Sequence, residues 1–359
     1  MNSMIFEEFD DIGKNNIKAT ADDLIHTVGV DGLKDLIRKV FIGGNVRDTT
    51  EFLVQRRLLS SYAAMISLFN NCLADSTACL SDYGTKVLAD YVSAKNEAKT
   101  LDLWLLGLTK KGLDNIVRGS ENLPQYIESF AQSFEETADD MKDRFGKLNG
   151  SITIGENTVD FDWNYILLLS LAMGSQTLSI RGSAKSMNGK LFEKLVLGTL
   201  LSIMGFTFCA APPSSIENTK KYFWLSNMDE NERETDATLI YNGTAVSIDI
   251  GFIGKGNPEI SLDKVTRYNR YKQIAGLRHD MKTIIIVDTV AEGSDLINKA
   301  TRVDGIVLQM SHTDWVIDFA KSICQIFSIR HDLSGLSTKD LNDYLKEKIR
   351  PIDIEKFIF

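Results

Sequence analysis

The dipeptide Asn242-Gly243, between two short runs of apolar residues, is the feature that most constrains how this 359-residue chain can fold. Both residue types tolerate a positive φ, which the two-residue type I′ turn of a β-hairpin requires. A turn of this length also sets the register of the two strands, so that Tyr241 pairs with Thr244. Counting outward from that pair places Asp236 directly opposite Asp249.

The two opposed aspartates indicate a cation site. Opposed residues on antiparallel strands have Cβ atoms about 4.5–5.5 Å apart, and like charges at that distance destabilise a sheet. Mg²⁺ offsets such repulsion, because it binds one or two carboxylates and keeps water ligands for a substrate phosphate. The alternative is that Asp236 is only solvated at the strand end. Asp249 argues against this, because it lies between Ile248 and Ile250 and is costly to bury unpaired.

The spacing of apolar residues predicts three parts of the chain. Residues 1–150 have three- and four-residue spacings, which predict a mostly helical domain. Residues 151–335 alternate helices with short strands, which predicts an α/β domain with a mixed central sheet. Residues 336–359 form a predicted helical tail. We predict helices at 51–68, 85–108, 122–148, 190–204, 262–277 and 313–329, a hairpin within 151–160, and strands at 207–211, 237–241, 244–252, 283–287 and 306–309.

Composition excludes several classes of protein. The four cysteines form no CxxC pair, so neither a zinc ribbon nor a disulfide framework is expected. No apolar run reaches the roughly 18 residues of a membrane span, and the acidic N-terminus is unlike a secretory signal, so we expect a cytoplasmic protein without membrane contact. The net charge is −9, but residues 255–282 hold seven basic and three acidic residues. This stretch is compatible with a polyanion-binding surface, or with a solvated helix face.

The order of these elements resembles a known nuclease superfamily. Asp236, twelve intervening residues and Asp249 resemble the PD-(D/E)XK motif, in which an acid begins one strand of a hairpin and another ends the next. A preceding helix often supplies a further acid there, and Glu193 matches it. Within this superfamily the chain looks most like type II restriction endonucleases, and residues 249–260 (DIGFIGKGNPEI) are most similar to the CfrBI-type enzymes. The resemblance covers about residues 185–329 and implies a restriction-endonuclease-like core.

The resemblance implies a reaction and a set of site residues. Asp236, Asp249 and Glu193 would hold Mg²⁺ for the hydrolysis of phosphodiester bonds in a specific palindromic double-stranded DNA site. The motif has a lysine two residues after the second acid, where this chain has Gly251. We expect Lys255 or Lys264 to replace that lysine as a catalytic residue.

The resemblance also implies partners. One site per chain implies a homodimer that matches a palindrome. A restriction enzyme implies a companion DNA methyltransferase that protects the host. In such enzymes, added parts like residues 1–150 serve DNA recognition or dimer contacts.

Basic residues outside the motif are candidates for phosphate contacts. Arg267, Arg270 and Lys272 alternate with tyrosines on the predicted helix 262–277, and they would bind the DNA backbone or form an ordinary amphipathic face. Lys185 and Lys190 lie before the predicted helix 190–204. The free N–H groups of a helix start suit a phosphate, although an ordinary helix entry is the alternative.

Two other functions stay open. The chain could be a catalytically inactive DNA-binding or scaffold protein, which would tolerate Asn in place of Asp236 or Asp249. It could also be a nucleotide-binding phosphotransferase, because Asp249-Ile250-Gly251 resembles the Asp-x-Gly phosphate loop of sugar kinases. Residues 182–190 have a weaker likeness to a Walker A loop.

Overall fold

The computed structural model contains two compact units. The first consists of residues 1–20 and 49–186, and the second of residues 21–48 and 187–359. Within these units the structure describes residues 3–18, 20, 25, 28–45, 47–74, 80–213, 217, 219–226, 235–251, 271–274, 277–290 and 305–358.

Ten helices and nine strands are defined in the described residues. The helices are α1 Met4–Glu8, α2 Asp11–Ile17, α3 Val30–Phe41, α4 Arg47–Leu68, α5 Leu80–Ser93, α6 Glu97–Leu105, α7 Leu123–Phe145, α8 Trp163–Ile203, α9 Trp315–Phe327 and α10 Thr338–Ile349. The strands are β1 Gly150–Ile154, β2 Asn157–Phe161, β3 Thr207–Phe208, β4 Tyr222–Leu225, β5 Ala237–Tyr241, β6 Thr244–Gly251, β7 Tyr271–Ile274, β8 Leu277–Val287 and β9 Gly305–Gln309. Short helical turns lie at Phe69–Leu73, Lys110–Gly112, Leu113–Val117, Ser120–Asn122, Asp332–Gly335 and Glu355–Phe357.

The first unit is helical around an aromatic core, as predicted for most of its length. Phe69 and Tyr165 meet edge to face at 5.7 Å between ring centroids, and the buried Trp104 donates its indole N–H to Ser179 Oγ at 2.8 Å. The predicted hairpin within 151–160 is confirmed as β1 and β2. The single helix predicted at 85–108 is wrong, because the chain breaks between α5 and α6 at Asn96, whose φ is 49°.

Helix α8 is longer than expected. It runs without interruption through the segment before Lys190, where we predicted a helix start. The segment 181–190 (RGSAKSMNGK) contains charged and polar residues and two glycines, so its sequence gives no sign that a helix runs through it. The helix ends before Gly205, whose φ of +79° continues no right-handed helix.

A seven-stranded mixed sheet lies in the second unit. Its order is β3-β4-β5-β6-β8, and both β7 and β9 pair with β8. The pairs β3–β4, β6–β8 and β8–β9 are parallel, whereas β4–β5, β5–β6 and β7–β8 are antiparallel. The α/β class and the mixed sheet preceded by helices are therefore confirmed.

Several elements of the sheet differ from the prediction. Strand β4 was missed, because a run of four apolar residues has no alternation to separate a strand from a helix. Strand β3 is shorter than the predicted 207–211. The helix predicted at 262–277 is wrong over its described part, because residues 271–274 form β7 and β8 begins at Leu277. Residues 252–270 lie outside the described residues.

The second unit has its own core. Trp315 at the start of α9 is buried against Phe41 of α3, with 5.9 Å between ring centroids, and it donates its indole N–H to the Val40 carbonyl at 2.8 Å. Gly198 on α8 allows close packing, because a Cβ there would lie 2.5 Å from the ring of Phe357. Among the described residues, no helix combines the length and the apolar character that a membrane span needs.

Candidate functional site

The β5–β6 hairpin has the turn that its sequence predicts. Asn242 and Gly243 have φ values of 49° and 77°, as a type I′ turn requires. Pairing runs from Tyr241 and Thr244 out to Ala237 and Ile248, with no bulge. The predicted register is confirmed, and it brings Asp236 and Asp249 to the open end of the hairpin.

Asp236 is bound to the end of β6. The β5–β6 ladder ends at the pair Ala237 and Ile248, and Asp236 is the next residue beyond it. Its carboxylate Oδ2 accepts the backbone N–H of Ile250 at 2.7 Å, and its carbonyl accepts the N–H of Ser226 at 3.1 Å. The alternative that Asp236 is merely solvated is therefore wrong.

The two aspartates differ in exposure. Asp249 is only 3% exposed, on a strand that is buried from Ala245 to Gly251, whereas Asp236 is half-buried. A buried carboxylate is costly unless it is paired with a cation or accepts hydrogen bonds. The pair therefore offers one carboxylate inside the fold and one nearer the surface, a donor set that Mg²⁺ accepts together with water and phosphate oxygens.

A row of three hydroxyl groups lies next to the acid pair. Thr238, Ser247 and Thr283 are register partners across β5, β6 and β8, and all three are buried. Ser247 is two residues before Asp249, so the row is on the same face of the sheet. The Ser247 and Thr283 hydroxyls are 3.2 Å apart.

This hydroxyl row adjoins two apolar clusters on the face of the sheet that it shares with Asp249. One cluster extends toward the hairpin turn and the other toward the carboxyl end of β8. The first contains Trp224, Ile240, Ala245 and Met281, and the second contains Ile285 and Val287 with Val290 and Val307 packed against them. Sequence reasoning missed the row, because the register across β6 and β8 joins segments about 35 residues apart.

Asp288 is a further carboxylate at the same edge of the sheet. It follows β8 directly, is half-buried, and donates its backbone N–H to the carbonyl of Gly251 at 3.2 Å. Sequence reasoning missed it as well. An acid immediately after a buried aliphatic strand was the available signal, because the carboxyl ends of parallel strands meet at one edge, where ligands bind in α/β sheets.

Glu193 lies on α8 and is half-buried. Within the described residues, no three or more His, Cys, Asp or Glu side chains form a group that could hold a metal ion. Glu193 as a third ligand therefore stays a prediction.

Three of the predicted basic residues lie in other secondary-structure positions than the sequence predicts. Lys185 and Lys190 lie in the interior of α8, where backbone N–H groups are already bonded within the helix, so the predicted phosphate site at a helix start is wrong. Lys272 lies on strand β7 opposite His279, not on a helix. Lys255, Lys264, Arg267 and Arg270 are outside the described residues, and their roles stay predictions.

The likeness of residues 182–190 to a Walker A loop is also wrong. A Walker A motif binds phosphates with the backbone of a loop. This whole segment is helical, within α8.

Comparisons with known proteins identify the family of the chain. Residues 30–295 match the family described as CfrBI restriction endonuclease. The chain is 34% identical over 345 residues to the type II restriction enzyme CfrBI of Citrobacter freundii, with 95% of each chain covered. No solved structure matches significantly. The family resemblance at residues 249–260 is confirmed, and the chain belongs to the CfrBI family of restriction endonucleases and thus to the site-specific endodeoxyribonucleases.

Proposed function

We propose that this chain is a Mg²⁺-dependent type II restriction endonuclease of the PD-(D/E)XK type, which hydrolyses phosphodiester bonds in a palindromic double-stranded DNA site. The observation that carries the proposal is the hairpin end, where Asp236 is bound to the N–H next to the buried Asp249. It is supported by the similarity to the CfrBI enzyme over nearly the whole chain.

The donor set fits a magnesium ion. Asp236 uses Oδ2 for the Ile250 N–H, and a carboxylate oxygen keeps further lone pairs for a cation. Asp236 and Asp249 would hold the ion, with Glu193 as a further ligand. When bound, Mg²⁺ lowers the pKa of a coordinated water and stabilises charge on a phosphate.

The chain's own residues have three tasks around the scissile phosphate. The Ile250 N–H orients the carboxylate of Asp236, so that its negative charge stays at the hairpin end. Lys255 or Lys264 would orient the attacking water and stabilise the charge of the phosphorane, in place of the lysine that the motif has at Gly251. Arg267, Arg270 and Lys272 would bind backbone phosphates, which gives affinity that falls with salt.

The proposal also includes an oligomeric state, a partner enzyme and a location in the cell. One site per chain would cut both strands as a homodimer, and a companion methyltransferase would protect the host DNA. The protein would act in the cytoplasm, where that DNA lies.

Cleavage of unmethylated phage DNA tests the proposal. We expect discrete fragments with Mg²⁺, none with EDTA, and none from Asp249→Asn. Asp318→Asn on α9 is the matched control, because its carboxylate is solvent-accessible and pairs only locally with Lys321. Absence of cutting by folded wild type with Mg²⁺ and Mn²⁺ on several DNAs would refute the proposal.

The second candidate is a DNA-binding protein without catalysis, and Gly251 favours it, because the motif has a lysine there. Filter binding with Ca²⁺ separates the two. Salt-sensitive DNA binding without any cutting would support the second candidate.

A further inference from the structure

A buried carboxyl group of the first unit has no role in the proposed nuclease reaction. Asp102 of α6 is 0% exposed, and neither of its carboxyl oxygens has a hydrogen-bond partner within the described residues. Buried polar groups normally form hydrogen bonds, and an unpaired buried charge is especially costly. Asp102 therefore keeps its proton for as long as water is excluded from its surroundings.

The neighbour of Asp102 is a second carboxylate, Asp90 on α5, which holds the beginning of the chain in place. Asp90 is buried, and each of its oxygens accepts a hydrogen bond. Oδ2 accepts the hydroxyl of Ser3, and Oδ1 accepts the backbone N–H of Met4 at 2.8 Å. Ser3 is also the N-cap of α1, because its Oγ accepts the backbone N–H of Phe6 at 3.0 Å. We call Ser3, Met4 and Asp90 the N-terminal contact.

Helix α1 depends on this contact because it is short. Its five residues are far fewer than the about 12–15 that an isolated helix needs in water. The buried side chains Ile5 and Phe9 attach it to the core of the unit. Helices α5 and α6 are longer and pack on one another. Displacement of α1 is therefore the least costly way for water to reach Asp90.

The ionisable groups around Asp102 do not compensate a negative charge on it. Helix α5 contributes Asp90 and the phenol groups of Tyr83 and Tyr91, and α6 contributes Lys99. The ammonium group of Lys99 lies 4.9 Å from the ring centroid of Tyr91. Burial, followed by the charge of Asp90, raises the pKa of Asp102 to about 8, and Lys99 offsets only part of this effect. Other charged groups of the helices packed here are exposed or pair with each other, among them Glu7 and Glu8 of α1 and Asp11 and Lys14 of α2.

We propose that the N-terminal contact is a pH-sensitive switch, which is closed while Asp102 is protonated and opens when Asp102 loses its proton to solvent. Two adjacent carboxylates without water repel each other strongly. Release of Ser3 and Met4 from Asp90 admits water to both carboxylates and so reduces the repulsion. Helix α1 then leaves the unit, and the apolar side chains that it buried become accessible.

The direction of the pH dependence follows from the two states of the switch. In the closed state the pKa of Asp102 is about 8, whereas in the open, hydrated state it returns toward its ordinary value of 3.8. The open state is therefore favoured increasingly as the pH rises. Its equilibrium constant should rise about tenfold for each pH unit between pH 4 and pH 8, and should level off above pH 8.

Hydrogen exchange of the full chain, followed by mass spectrometry at pH 6, 7 and 8, tests the switch. Protection factors are used, because they correct for the intrinsic pH dependence of exchange. We expect the protection of the amides of Met4 and Phe6 to fall about 100-fold from pH 6 to pH 8, while the interior of α5 stays protected. Asp102→Asn cannot ionise, so its α1 amides should have the same protection at all three pH values. The matched control is Asp82→Asn, an exposed carboxylate on α5, which should follow wild type.

Two further variants keep the test decisive if Asp102→Asn does not fold. Asp90→Asn keeps an oxygen acceptor for the Met4 N–H but removes the repelling charge, so the fall in protection should level off at a lower pH than in wild type. Ser3→Ala removes one hydrogen bond of the contact, so it should lower the protection at every pH and keep the pH dependence.

Three results would overturn the proposal. They are equal protection of the wild-type α1 amides at pH 6 and pH 8, a fall in Asp102→Asn or Asp90→Asn that matches wild type, and exchange of α1 together with α5, which reports unfolding of the whole unit. The measurement contains neither DNA nor metal, so its outcome does not depend on the proposed nuclease activity.

Discussion

The carboxylate of Asp236 accepts the backbone N–H of Ile250 at 2.7 Å, so the residue before β5 is bound to the residue after Asp249 on β6. The open end of the hairpin is thereby closed by a side chain where the backbone ladder has stopped. The hydrogen bond satisfies a buried donor and holds the carboxyl group of Asp236 at the end of the hairpin, where the proposed cation would bind.

Two substitutions at Asp236 separate its structural role from its catalytic one. Asp236→Asn keeps an oxygen acceptor for the Ile250 N–H but removes the charge, so we expect unchanged stability and cleavage reduced by about 100-fold or more. Asp236→Ala should also lose about 1–3 kcal/mol of stability, because the buried N–H loses its acceptor. Urea denaturation and plasmid cleavage measure the two effects, and equal stability of both variants would contradict the structural role.

The turn of the hairpin is sensitive to a single methyl group. Gly243→Ala should lower the free energy of unfolding by about 1–2 kcal/mol, because an L-residue is strained at a φ of +77°. A Cβ there meets no atom within 4 Å, so the cost comes from the backbone. The matched control is Gly189→Ala in α8, where space is also open and the residue is helical. It should raise stability by about 0.5–1 kcal/mol. If urea denaturation shows that both substitutions change the free energy of unfolding in the same direction, this explanation is contradicted.

The hydroxyl groups of Ser247 and Thr283 should contribute to the free energy of unfolding in a coupled, non-additive way. Ser247→Ala and Thr283→Val each leave a buried hydroxyl without its 3.2 Å partner, at a cost of about 1–3 kcal/mol. The double variant should cost less than the sum, because it removes both polar groups. A double-mutant cycle from denaturation curves measures the coupling, and strict additivity would show that the two hydroxyls do not depend on each other.

The free energy of unfolding should decrease as the pH rises, because of one buried carboxyl group in the first unit. Asp102 is fully buried, and desolvation, followed by the charge of Asp90, raises the pKa of Asp102 from 3.8 to about 8. The native state therefore keeps a proton that the unfolded chain releases above about pH 4. Between pH 4 and pH 8 the free energy of unfolding should therefore decrease by about 1.4 kcal/mol for each pH unit.

The Asp102→Asn variant tests the direction of this pH dependence. It cannot ionise, so its free energy of unfolding should vary less with pH than that of wild type and exceed it most at pH 8. The exposed Asp140→Asn is the control and should follow wild type. Parallel pH profiles of wild type and Asp102→Asn would contradict the prediction.

The local elements around the site were predictable from residues a few positions apart. The Asn242-Gly243 turn, the alternation along β5 and β6, and the aliphatic run of β8 each depend on neighbouring residues. The helix boundaries were less predictable. The sequence predicts a helix start at Lys190, but α8 continues through it, although the preceding residues 181–190 (RGSAKSMNGK) are mostly polar and include two glycines.

The sequence by itself determined the hairpin register, because turn geometry and strand alternation are encoded within about ten residues. It also determined the family, because the similarity to the CfrBI enzyme extends over nearly the whole chain. Only the tertiary structure decided that β8 lies beside β6, that Thr283 completes a hydroxyl row, and that Asp288 reaches the edge next to Gly251. Those contacts join parallel strands whose pairing depends on how the whole sheet buries its two faces. No spacing within a single segment specifies that choice.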